Sequence, residues 1–167
     1  MKNYGFTLIE LILYLAIVAI ILTSIIPFAW GVIGSGVKSR TQEEVFSNAR
    51  YISERIKYEI RNSYDINSIT NTQIVLCQNP SSCATNPTTI TFSSPNIIIQ
   101  NKGGAVVNLN SADVAISAPS GIFFVDYSGG STKNILYQFT AASNLNSNRS
   151  EYTQTVSFEG AAEVRSN

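Results

Sequence analysis

The chain has 167 residues, room for one compact domain plus a membrane segment. Eleven basic and eleven acidic residues cancel, charged residues make up only 13%, and there is no His, which removes the commonest general base and metal ligand. Lys38 to Arg61 holds six of the basic and four of the acidic residues, leaving four basic against six acidic from Asn62 onward; a weakly acidic distal part without a basic patch argues against nucleic acid as a partner.

The first five residues carry one charge, Lys2, and end in Gly5. The run from Phe6 to Ile33 then holds one charged residue, Glu10. About twenty helical residues cross a hydrocarbon core of about 30 Å, so the run is long enough to span. A carboxylate inside it is costly, about 2.5–3.5 kcal/mol on insertion scales, and calls for a task. A cleaved secretory signal fits poorly: the apolar run is too long and no small-x-small site follows it. A plain anchor with Lys2 inside fits the length but gives Glu10 no role. A third reading has a leader cut after Gly5, with the helix retained.

Gly5-Phe6-Thr7-Leu8-Ile9-Glu10, followed directly by a membrane-length run, resembles the class III signal of type IV prepilins and pseudopilins. The resemblance implies that a prepilin peptidase cuts after Gly5 and N-methylates Phe6, and that the helix then joins those of other pilin or pseudopilin subunits. It also implies an assembly role for Glu10, whose carboxylate would meet the amino terminus of a neighbour. Pairing recovers much of the cost of a buried charge, and a misregistered neighbour would leave both charges unpaired. The plainer alternative is that Glu10 snorkels to the interface, being four residues from the new terminus; both can hold at different stages.

Pro27 removes one intrahelical hydrogen bond and crowds the preceding turn. Gly31, Gly34 and Gly36 follow, each lowering helix propensity by about 1 kcal/mol relative to Ala. A flexible joint is expected here, set against the general tolerance of membrane helices for Pro and Gly. From Val37 to about Asn62, Val45, Ala49, Ile52, Ile56 and Ile60 form one apolar stripe that needs a partner layer. Arg40, Glu43, Glu44, Arg55, Lys57 and Arg61 form the opposite, solvated face, with possible pairs Arg40–Glu44 and Arg55–Glu59. The helix is expected to end near Asn62-Ser63.

Beyond Tyr64 the pattern turns to short β-type runs: Gln73–Cys77, Thr88–Phe92, Asn96–Gln100, Ala105–Leu109, Val114–Ser117, Gly121–Tyr127, Ile135–Thr140 and Tyr152–Phe158. Cys77 and Cys83 could form a redox pair, a metal site or a disulfide. The spacing is not the dithiol C-x-x-C form and no further Cys or His completes a zinc site, so a disulfide stapling the first two strands is favoured, which places this part in an oxidising compartment. The turn chemistry of Asp126 to Ser131 predicts a hairpin between the two runs that flank it. GAAEVRSN at the end reads as a frayed tail. Asn148-Arg149-Ser150 matches a glycosylation sequon but reads better as part of a surface loop.

No nucleophile elbow, phosphate loop or metal-ligand cluster is present, and Asp126 near Gly129 is thin support for calcium. The sequence thus predicts a non-enzymatic α+β protein with no cofactor or metal: a leader (1–5), a transmembrane and assembly helix (6–34), an amphipathic helix (35–62) and a β-rich head (63–167). The resemblance implies a minor pilin or pseudopilin of a type IV pilus or type II secretion-like filament. Its partners would be the prepilin peptidase, other subunits and, before assembly, membrane lipid, with the head outside the cytoplasmic membrane. The alternative is a tip-located module that binds DNA or a surface ligand; a membrane-tethered enzyme is a further rival without an active-site constellation to support it.

Overall fold

In a computed structural model, residues 7–80, 83, 85–129, 133–145 and 149–164 are described. Helix α1, Leu8–Arg61, runs for 54 residues without a break, about 80 Å at 1.5 Å per residue. Thr7 caps its start and Asn62 its end, where the Asn62 and Ser63 amides donate to Tyr58 and Ile60 carbonyls. This long helix packed on antiparallel sheets makes the protein α+β.

Nine strands follow among the described residues. The first sheet is a meander: β1 (Asp65–Ile69), β2 (Gln73–Cys77), β3 (Thr88–Ser93), β4 (Asn96–Gln100) and β5 (Val106–Asn108). The second is centred on β8 (Asn134–Ser143). One edge of β8 pairs end to end with β6 (Val114–Ser117) and β7 (Phe124–Asp126), and β9 (Thr155–Glu163) pairs along the other. Asn110 joins the two sheets. Its side chain accepts from the Ile97 amide at 3.0 Å and donates to the Val114 carbonyl at 2.7 Å, so neither backbone group is left unpaired at the seam.

The five apolar residues of the helix stripe are all buried, with Ile52 at 0% exposure, against β8 and β9. Strand alternation explains the match. Ile135, Tyr137, Phe139 and Ala141 point to the core, and their cross-strand partners Ala162, Gly160, Phe158 and Val156 share that face. A ladder of rings crosses the molecule from the helix to the first sheet. Phe46 meets Phe158 at 5.7 Å between centroids, Phe158 meets Phe139 at 5.8 Å, Phe139 meets Phe123 at 5.5 Å and Phe123 meets Phe92 at 5.4 Å. These are favourable aromatic separations, so one set of contacts fixes helix and both sheets together.

Several expectations change. No interruption occurs at Pro27 or the glycines; the helix continues through them. The loss of one hydrogen bond is local, and the Thr23 and Ser24 hydroxyls bond the Ile20 carbonyl in the turn before it. Asp65–Ile69, which is not among the expected strands, is a strand, because Asp65 to Ile69 pairs with Cys77 to Ile74 despite its polar composition. The expected tail is not frayed as far as Val164: Gly160–Glu163 complete β9, and Val164 is buried, its amide bonded to the Lys133 carbonyl. Residues 165–167 lie outside the described residues. Arg55 and Glu59 pair at 2.7 Å, but Glu59 is buried rather than solvated. Arg40 and Glu44 form no ion pair; Lys57 and Glu54 do. The β7–β8 hairpin forms with a shorter β7 than the expected Gly121–Tyr127, and adjacent Phe123 and Phe124 are both buried, a departure from the in-out alternation of a strand. Phe123 precedes the strand, so its ring is free to turn inward beside Phe124 at 4.7 Å.

Candidate functional site: the exposed half of the helix

From Leu8 to Arg40 the helix has no buried residue. Leu8 is 78% exposed and Trp30 66%, and nearly every large apolar side chain between them stands clear of the head. Apolar surface on this scale marks a contact with membrane or protein. The helix is long and apolar enough to cross a membrane.

Glu10 lies in the first turn. Its carboxylate accepts from the Thr7 amide at 3.3 Å and the Thr7 hydroxyl at 3.1 Å, while the Thr7 hydroxyl accepts from the Glu10 amide at 3.4 Å. This is a capping box, which satisfies two otherwise orphaned amides and sets a carboxylate near the positive end of the helix dipole. The Thr-x-x-Glu spacing was readable, and the capping role is the feature that the sequence reading missed. Glu10 therefore has a local partner within its own chain. Gly5 and Phe6 lie outside the described residues. Pro27, Gly31 and Gly34 all lie within the continuous helix. A Cβ at Gly31 would meet open space; at Gly34 it would lie 3.6 Å from the Glu151 carboxylate, so the β8–β9 loop reaches the helix there.

Cys77 and Cys83 are joined by a disulfide, their Cα atoms 4.6 Å apart, across the β2–β3 connection. Ionisable groups elsewhere in the head pair locally. Lys133 bonds Asp65 and holds its carboxyl below the ordinary range. The Ser128 hydroxyl and amide do the same for Asp126, which makes this loop a local turn around one carboxylate. Burial pushes the Tyr137 phenol up, partly offset by its hydrogen bond to Ser53. That bond, 2.7 Å between hydroxyls, links β8 to the helix. Among the described residues no group of three or more acidic or Cys residues is placed to hold a metal ion.

Residues 1–26 match the family model of the prokaryotic N-terminal methylation motif. The N terminus thus carries the class III signal of type IV prepilins and pseudopilins, and the helix-on-sheet plan behind it is pilin-like. No curated protein and no solved structure matches the chain.

Proposed function

We propose that this chain is a structural subunit, a minor pilin or pseudopilin, of a type IV pilus or type II secretion-like filament. A prepilin peptidase removes residues 1–5 and methylates Phe6. Residues 6–34 hold the subunit in the cytoplasmic membrane and then pack among other subunits, while residues 35–62 fasten this helix to the head formed by 63–167. The observation that carries the reading is the methylation motif at the start of a helix whose first half has no buried residue. Catalysis has no part in this function.

The disulfide supports a head outside the cytoplasm, because such bonds rarely persist in reducing compartments. Counting cations alone would point the other way: Lys2 precedes the span and Lys38, Arg40 and Arg50 follow it. The disulfide carries more weight, since it is a covalent feature tied to compartment chemistry rather than a statistical bias.

Within the filament, Glu10 exchanges its local bond to Thr7 for the methylated amino terminus of a neighbour. Mass spectrometry of the assembled fraction should show N-methylated Phe6 as the first residue; an intact Met1 there would refute processing. The two Glu10 roles separate by mutation. Thr7→Ala removes the cap, at about 1 kcal/mol of helix stability, but should still assemble. Glu10→Ala should be inserted and cleaved yet fail to enter filaments, and normal incorporation would remove its assembly role.

A further inference from the structure

The lowest part of the head touches the helix where its apolar run ends. Glu151, in the loop between β8 and β9, lies against Gly34, 3.6 Å from the position of a Cβ there. Trp30 stands one turn earlier on the same helix face and Lys38 one turn later, at the i−4 and i+4 positions. The 26 residues from Leu8 to Ile33 span about 39 Å of helix, more than the hydrocarbon core of about 30 Å. A spanning helix therefore brings Trp30 and Gly34 to the outer boundary of the bilayer, and the β8–β9 loop with them. The groups at this level suit an interface. Trp30 is the only tryptophan and is exposed; an indole prefers headgroup depth. Lys38 and Arg40 are exposed about 12 and 15 Å farther along the helix, and Arg149 is 64% exposed while bonded to Glu151 at 2.7 Å.

We propose that, before assembly, the described part of the β8–β9 loop, residues 149–154, rests on the membrane surface beside Trp30, with Arg149, Lys38 and Arg40 engaging anionic phospholipid headgroups. The charge pattern favours this partner. Lys38 and Arg40 lie about 7 and 10 Å along the helix beyond Ile33, Arg149 sits in the loop paired with Glu151, and cations this close to an apolar span attract anionic lipid within a Debye length. The contact would set the angle of the head above the bilayer and is broken when the subunit leaves for a filament. It rests on the membrane-anchored reading of the helix.

The test uses the full chain in vesicles containing lipids brominated at shallow or mid-chain positions. Trp30 fluorescence reports the helix. A Trp30→Phe, Tyr152→Trp double variant reports the loop. Expected results are stronger quenching of Trp30 by shallow than by mid-chain bromines, and at least twofold quenching of the residue 152 indole by shallow bromines in anionic vesicles. That loop quenching should fall in neutral vesicles, at high salt and on adding Arg149→Glu. Trp30 quenched with the loop probe unquenched would overturn the loop contact and leave the anchor standing. Loop quenching equal in neutral and anionic vesicles would overturn the headgroup recognition. Neither probe quenched would remove the anchor itself. Circular dichroism of each variant confirms that the head is folded.

Discussion

The two halves of α1 share one backbone and opposite fates. Between Thr41 and Ile60 the helix buries a stripe against β8 and β9, while between Leu8 and Arg40 no residue is buried and the head touches it only near its end, at Gly34. The upper half is amphipathic and its apolar face is matched by strands of the same molecule. From Leu11 to Ile33 the lower half carries no charge and is apolar on nearly all sides, so no single sheet could cover it. The difference teaches where each half's stability comes from: tertiary packing above, and a membrane or neighbouring helices below.

The largest effect should come from removing a buried stripe residue. Ile52→Ala is expected to cost about 2–5 kcal/mol by the usual large-to-small penalty, read as a lower unfolding temperature of the detergent-solubilised protein by near-ultraviolet circular dichroism. Ile21→Ala, the same chemistry in the lower half, should leave the melting of the head unchanged. Equal destabilisation by the two would break the division.

Next is the crossing of β8 and β9 under the helix. Gly160 faces Tyr137 in register, and a Cβ there would overlap the phenol that bonds Ser53. Gly160→Ala should therefore cost about 1–3 kcal/mol through overpacking. Tyr137→Phe should relieve only part of it, since the ring still covers the strand. A neutral Gly160→Ala would mean that Tyr137 moves aside without loss of its bond to the helix.

The smallest effect belongs to the surface pair Lys133–Asp65. The hydrogen bond from Lys133 lowers the Asp65 carboxyl below its ordinary 3.8. A carboxyl lowered by folding contributes stability that is present above its unfolded value and is lost as pH falls through the folded one. Asp65 is partly exposed, so the contribution is screened to about 1 kcal/mol or less. The stability difference between wild type and Asp65→Asn should be present at neutral pH, shrink below the ordinary carboxylate value and diminish in high salt. A difference independent of pH would assign it to packing.

Much of this architecture is local and was legible. The stripe Val45, Ala49, Ile52, Ile56 and Ile60 has helical spacing, and β2, β4 and β6 fall at the expected limits because alternating apolar residues end at turn-forming ones. The Cys77–Cys83 pairing was favoured because alternative chemistries lacked ligands. Other features left weak signals. Strand β1 is polar and exists through pairing with β2, while the terminal Gly-Ala-Ala run belongs to β9 through pairing with Leu136 and its neighbours in β8, with Gly160 leaving room for Tyr137. Pro27 and the glycines point to an interruption of α1 that does not occur, since one lost hydrogen bond weakens a helix without ending it.

By itself the sequence determined the methylation motif, the membrane-length run and the change from helical to strand periodicity, because each is written in a short window of neighbouring residues. Only the tertiary structure decided that Tyr137 reaches Ser53 across 84 positions, that Glu59 is buried with Arg55, and that Glu151 comes to rest beside Gly34. Those contacts arise when the long helix is laid against β8 and β9, and their geometry depends on strand register and loop path rather than on any local pattern.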